Sequence, residues 1–211
     1  MIKKLLALTA LAAALPTWAA TGTWASFVGI DADGAGSAAT QWYDSGAFQA
    51  NELTDFANAN LGSFAQGSSA WLSAGDLFTF KNNGGNVTGA TLYWRVDNGA
   101  YTAVQLNWNS NAPLQIPGTT ATVGGSNDQS WNNTSINADF LQGLSAGNHQ
   151  LQVYFMGSSN QGDIFAGSEA TPMSANFTVT TPVPEPASMS LMLGGLALLG
   201  HWSRRRAAKA R

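Results

Sequence analysis

Apolar residues through the middle of this chain recur at every second position. Leu92, Trp94 and Val96 alternate with Thr91, Tyr93 and Arg95. Leu151, Val153 and Phe155 alternate with Gln150, Gln152 and Tyr154, and Ala175, Phe177 and Val179 repeat the pattern. A period of two puts successive side chains on opposite faces of an extended strand and builds no stripe on a helix. The alternating runs are short and lie between glycine- and asparagine-rich breaks, the pattern of an all-β sandwich or barrel. Strands are predicted over 87–96, 149–156 and 175–180, and further ones over 24–30 and 77–80. Asp97-Asn98-Gly99 follows the first of these and signals a hairpin, because Asn and Gly both tolerate positive φ. The chain then returns through 101–108. Helix is scarce: residues 49–60 read as a short helix, and 137–144 as a turn or a single helical turn.

The two ends have a different chemistry. Residues 1–19 read as a secretory signal peptide: Lys3 and Lys4 are charged, 5–15 is apolar, and Thr17-Trp18-Ala19 places small residues where cleavage needs them. Cleavage is expected after Ala19, with Ala20 the less suitable alternative. At the other end an apolar run over 187–202 precedes Arg204, Arg205 and Arg206. As a helix it spans roughly 24 Å at about 1.5 Å per residue. That falls short of a hydrocarbon core of about 30 Å, so local thinning or snorkelling of the arginines is expected. The positive-inside bias keeps the basic tail, 203–211, cytoplasmic and leaves Glu185 outside. Pro184 and Pro186 hold Glu185 in extended chain at the membrane surface.

The order of Pro184-Glu185-Pro186, the apolar segment 191–199 and the basic end Arg204–Arg206 resembles a PEP-CTERM sorting signal. The resemblance covers about the last thirty residues, 182–211. It implies recognition by exosortase, a membrane-embedded cysteine transpeptidase of Gram-negative bacteria that make exopolysaccharide. The plainer alternative is a C-terminal anchor on a proline-rich stalk. Within the remaining domain, 20–181, the run from Val87 to Gly99 and the later run from Leu144 to Phe155 are similar to bacterial immunoglobulin-like modules. That likeness implies an immunoglobulin-like β-sandwich ectodomain and no activity.

Of the nine Lys and Arg only Lys81 and Arg95 lie between the terminal segments, whereas every one of the twelve Asp and Glu except Glu185 does. The ectodomain is therefore much more acidic than the net charge of −3 implies. Such a surface repels phosphate backbones and argues against a nucleic-acid partner. It suits a divalent cation or a neutral polysaccharide. The chain has no cysteine, which excludes disulfides, thiolate metal sites and cysteine nucleophiles.

Three constellations bear on chemistry. Asp31-Ala32-Asp33-Gly34-Ala35-Gly36 resembles the start of a calcium loop, where alternate carboxylates and a glycine turn supply hard oxygens. It departs from the full loop at Ala35 and lacks the distal glutamate, and the plainer reading is a polar turn after the strand over 24–30. Asp31 and Asp33 are the candidate calcium ligands; no other cofactor is expected. Trp108 and Trp131, in asparagine-rich surroundings, are the candidate exposed aromatics for stacking on sugar rings, while Trp94 belongs to the core by its alternation. His149, the one histidine outside the C-terminal segment, reads as structural. No nucleophile elbow and no paired histidines occur, and the scattered acids single out no glycosidase pair.

These features predict an exported protein that is not an enzyme. It is expected to be sorted by exosortase to the cell surface or extracellular matrix after a transient stay in the inner membrane. A structural or adhesive role in an exopolysaccharide or biofilm envelope is expected. A carbohydrate-binding module and a secreted hydrolase are the alternatives.

Overall fold

The computed structural model describes residues 20–32, 40–45 and 53–181. The signal peptide expected over 1–19, Asp33, and the sorting segment with its expected transmembrane helix lie outside the described residues. Among the described residues no helix is long and apolar enough to cross a membrane.

Every expected strand forms, most of them longer than the alternation marks. Strands β1 (Ala20–Asp31) and β5 (Trp71–Asn82) pair antiparallel. On the free side of β1 lies β2 (Gln41–Asp44), followed by β3 (Thr54–Asp55), parallel to it. Beyond β5 come β10 (Asp128–Asn133), β7 (Thr102–Asn111) and β6 (Val87–Val96), all antiparallel. Next are β12 (Gly147–Ser159) and β14 (Met173–Thr180), and β4 (Asn60–Ala65) ends the path parallel to β14. Two short strands attach at the side: β11 (Ala138–Asp139) on β5 and β13 (Gly162–Ala166) on β12. A separate hairpin is made by β8 (Leu114–Gln115) and β9 (Thr122–Val123).

The sheet turns at β7. Residues 102–106 of that strand pair with β6, and residues 107–111 pair with β10. Against Ser130 and Trp131 the partners step from Ser110 to Trp108, so Asn109 is an extra residue. Such a bulge bends its strand and sharpens the local twist. The domain is thus all-β, as the alternation predicts, with twelve of its fourteen described strands in one mixed sheet curled into a half-barrel. Leu72, Leu77 and Trp131 of one half share a core with Leu92, Leu106, Leu151, Phe155 and Phe177 of the other. A Cβ at Gly75 would come within 3.0 Å of Leu92 Cδ2, so glycine is what lets the halves approach there. Thr21 Oγ1 donates to Ser159 Oγ at 2.9 Å and Thr23 Oγ1 to the Phe165 carbonyl at 2.8 Å, which ties β1 to the opposite half.

A second, smaller core lies on the outer face of β1 and β5. Ala25, Phe27 and Phe78 pack there against Leu114 and Ile116 of the β8–β9 arm. These two strands are buried on both faces, so their apolar residues fall at successive positions, Phe27-Val28 and Leu77-Phe78. A continuous apolar run is what such a strand requires.

Two local expectations are corrected. Residues 53–60, the described part of the segment expected as helix, form β3, a turn and the start of β4. Asp55 Oδ1 accepts from the Ala57 amide at 2.8 Å, and Asn58 takes φ 67°. A side chain that captures a backbone donor and a left-handed residue both oppose a helix. In the β6–β7 turn the positive φ falls on Asp97, at 51°, and not on Asn98 or Gly99. Asp97 is held there by its own carboxylate, whose Oδ1 accepts from the Gln150 amide at 2.9 Å.

Candidate functional site

The two tryptophans singled out by the sequence sit opposite each other across the β7–β10 ladder and have opposite fates. Trp108 is 54 % exposed, beside the exposed Asn107 and Asn109. Trp131 is only 7 % exposed, which corrects the expectation that it lies at the surface. β10 is flanked by β5 and β7, so the inward ring of Trp131 is covered, and its Nε1 donates to Thr79 Oγ1 at 3.3 Å. The neighbouring asparagines mislead because Asn132 lies on the strand's other face and Asn133 is the half-buried last residue of the strand. Trp94 is partly buried against the main core. Phe165, at 49 %, is a second exposed aromatic that its alternation does not mark.

Asp31 ends β1 and is buried. Among the described residues no three of His, Asp and Glu come together to hold a metal ion. The sequence also does not mark Asp76 as special. It is 4 % exposed on the outer face of β5, across the ladders from Phe27 and Asn132. Its Oδ1 accepts from Ser130 Oγ at 2.8 Å, and Ser130 Oγ accepts from Asn109 Nδ2 at 3.2 Å. Burial pushes the Asp76 carboxyl up to about 7, against the opposing pull of the hydrogen bonds from Ser130 and the Leu77 backbone.

His149 stands at the start of β12. Its Nδ1 lies 2.8 Å from Asp97 Oδ2 and its Nε2 lies 2.9 Å from the Ser145 carbonyl. A carboxylate and a carbonyl only accept, so both bonds are made together by the imidazolium. The hydrogen bond to Asp97 raises the His149 pKa, burial opposes it, and the Ser145 carbonyl adds to the rise. With both nitrogens donating, the ring has no lone pair for general-base work. Its plane stacks on Phe177 at 5.5 Å, so the group anchors the β6–β7 turn to β12 and the core.

The outer face of the same half carries a ring cluster. Tyr93 and Tyr154, cross-strand partners, stack at 4.7 Å, and Tyr101 meets Tyr154 edge-on at 5.0 Å. Arg95 lies 4.2 Å over the Tyr101 ring and donates through Nε to Gln152 Oε1 at 2.6 Å.

Residues 182–207 match the PEP-CTERM protein-sorting motif. The chain carries a PEP-CTERM sorting signal. The match contains Pro184-Glu185-Pro186 and Arg204–Arg206, the residues on which the sequence resemblance rests. A protein with this signal is marked for export and for exosortase-dependent sorting to the surface. No curated protein matches the chain.

Proposed function

We propose that this is a structural or adhesive protein of an exopolysaccharide-rich envelope or biofilm matrix of a Gram-negative bacterium, and not an enzyme. The precursor is held in the inner membrane by the helix over 187–202 and processed near Pro184-Glu185-Pro186. Its β domain, which we read as an immunoglobulin-like sandwich made of the two facing halves, is then released to the surface or matrix. The observation that carries this reading is the PEP-CTERM match at the C-terminal end of a β-rich domain. The arrangement around His149 favours a structural role for the only histidine among the described residues.

Deletion of Pro184–Pro186 tests the proposal. The native chain should lose mass and reach the surface or the medium, whereas the deleted chain should stay full-length with the membranes. Identical size and location of the two proteins would overturn it. A second reading, carbohydrate binding, is favoured by the exposure of Trp108. It expects Trp108→Ala to abolish binding on a glycan array, and no binding to any glycan would reject it.

A further inference from the structure

We infer that the groove across the outer ends of β12 and β14 is a binding site for a neutral glycan chain, separate from Trp108. The inference rests on the envelope role proposed above and names the matrix component the domain would grip. An open groove of about 650 Å³ runs there, floored by Asn60, Asn148, Gln150, Gln152 and Asn176 and closed at one side by Asp97 and His149. The floor follows from register: Asn60 pairs with Asn176, Asn176 with Gln150, and Asn148 with Thr178. Outward positions of adjacent strands thus present a row of amides across three strands.

The amides are oriented by bonds within the protein. Asn60 Oδ1 accepts from the Gly62 amide at 2.9 Å, and Gln152 Oε1 accepts from Arg95 Nε. Neither donor can accept, so both carbonyl ends are assigned by chemistry. Asn176 Oδ1 accepts from Gln150 Nε2 at 3.1 Å and Asn148 Oδ1 from Thr178 Oγ1 at 3.0 Å. Four carbonyl ends are committed, and four NH₂ groups are left to the groove. Both Asp97 oxygens are engaged as well, by the Gln150 amide and by His149. The floor is therefore rich in N–H donors, and its charged wall is a neutralised pair.

Such a surface matches a ligand dense in acceptor oxygens that carries no charge of its own. Sugar hydroxyl and ring oxygens meet that description. A polyanion is opposed by the acid excess of the domain, in which only Lys81 and Arg95 balance the carboxylates. Asn60, Asn148, Gln150 and Asn176 are exposed, Gln152 is half-buried, and all five are held in place before binding, so little side-chain freedom is lost on contact.

Affinity electrophoresis of the full-length chain in a sugar-free non-ionic detergent tests the site. Gels contain dextran, hydroxyethyl cellulose, galactomannan or polygalacturonate. At least one neutral polymer should retard the protein. The Gln150→Ala/Asn176→Ala pair removes two of the groove's amides and should weaken retardation about tenfold. Asn176→Asp, which keeps the shape and removes a donor, should weaken it too. Circular dichroism verifies the fold of each variant. Trp108→Ala is compared beside them, because it separates this groove from the site that the second reading places at Trp108. No retardation by any neutral polymer, retardation by polygalacturonate alone, or retardation lost with Trp108 and untouched by the groove variants would each overturn the inference. None of these results bears on C-terminal processing, which the deletion of Pro184–Pro186 reads by mass and location.

Discussion

Two side chains make the stability of this domain depend on pH, in the same direction. The folded Asp76 carboxyl keeps its proton up to about 7, whereas in the unfolded chain it ionises near 3.8. Across that window the unfolded state binds fewer protons, so stability falls as pH rises. The window is about three pH units wide at about 1.4 kcal/mol each, a loss on the order of 4 kcal/mol. The His149 pKa is raised instead, so the stabilisation from its bonds to Asp97 and Ser145 is complete below 6.5 and is lost as pH rises through the folded value. The melting temperature should be higher at pH 5 than at pH 8. Asp76→Asn copies the shape of the protonated acid, so it should be near neutral at pH 5 and stabilising at pH 8. Equal melting curves for the variant and the parent at pH 8 would contradict the role given to Asp76. Nothing in the sequence around Asp76 announces this. Asp76 lies between Phe27 and Asn132 across the ladders, and the face it shares with Phe27 and Phe78 carries the β8–β9 arm, more than thirty positions away in the chain.

At the level of elements, β6, β12 and β14 are legible in sequence because each buries one face. Leu92, Leu151, Val153, Phe155, Ala175 and Phe177 fall inward as their alternation predicts. β1 and β5 are legible only in part, because a strand covered on both sides has no alternation to show. The segment 53–60 misleads because its helix-like composition is overridden by Asp55 and Asn58, whose backbone consequences appear only in the turn. Of the candidate site, the exposure of Trp108 is legible and the burial of Trp131 is not. That difference depends on which strands flank β10 and on the bulge at Asn109, neither of which is a local property. The outward amides of β12 follow from the alternation, whereas their meeting with Asn60 and Asn176 needs the pairing of β14 with β4. The tryptophan pair provides a test by urea unfolding. Trp131→Ala should cost about 3–5 kcal/mol, as core truncations do. Trp108→Ala should stay within about 0.5 kcal/mol of the parent, as exposed substitutions do. Equal costs would contradict the turn of the sheet at β7.

For the whole molecule, the division of charge is the organising fact. Seven of the nine basic residues gather at the two ends, one of which carries the sorting motif and the other the export signal expected from the sequence, and the carboxylates gather on the domain between them. A cationic tail suits retention on the cytoplasmic side, and an acidic, cysteine-free β domain suits the extracellular matrix proposed for it, where neutral polymers would be the contacts. The sorting motif at 182–207 links the two, and the proposed life of the protein depends on that link being cut. The intact mass of the protein recovered from the cell surface or medium of its native host tests this most directly. The account predicts a chain that begins at Ala20 and has lost the apolar segment and Arg204–Arg206. A cytosolic protein whose mass still includes that complete basic end would contradict it.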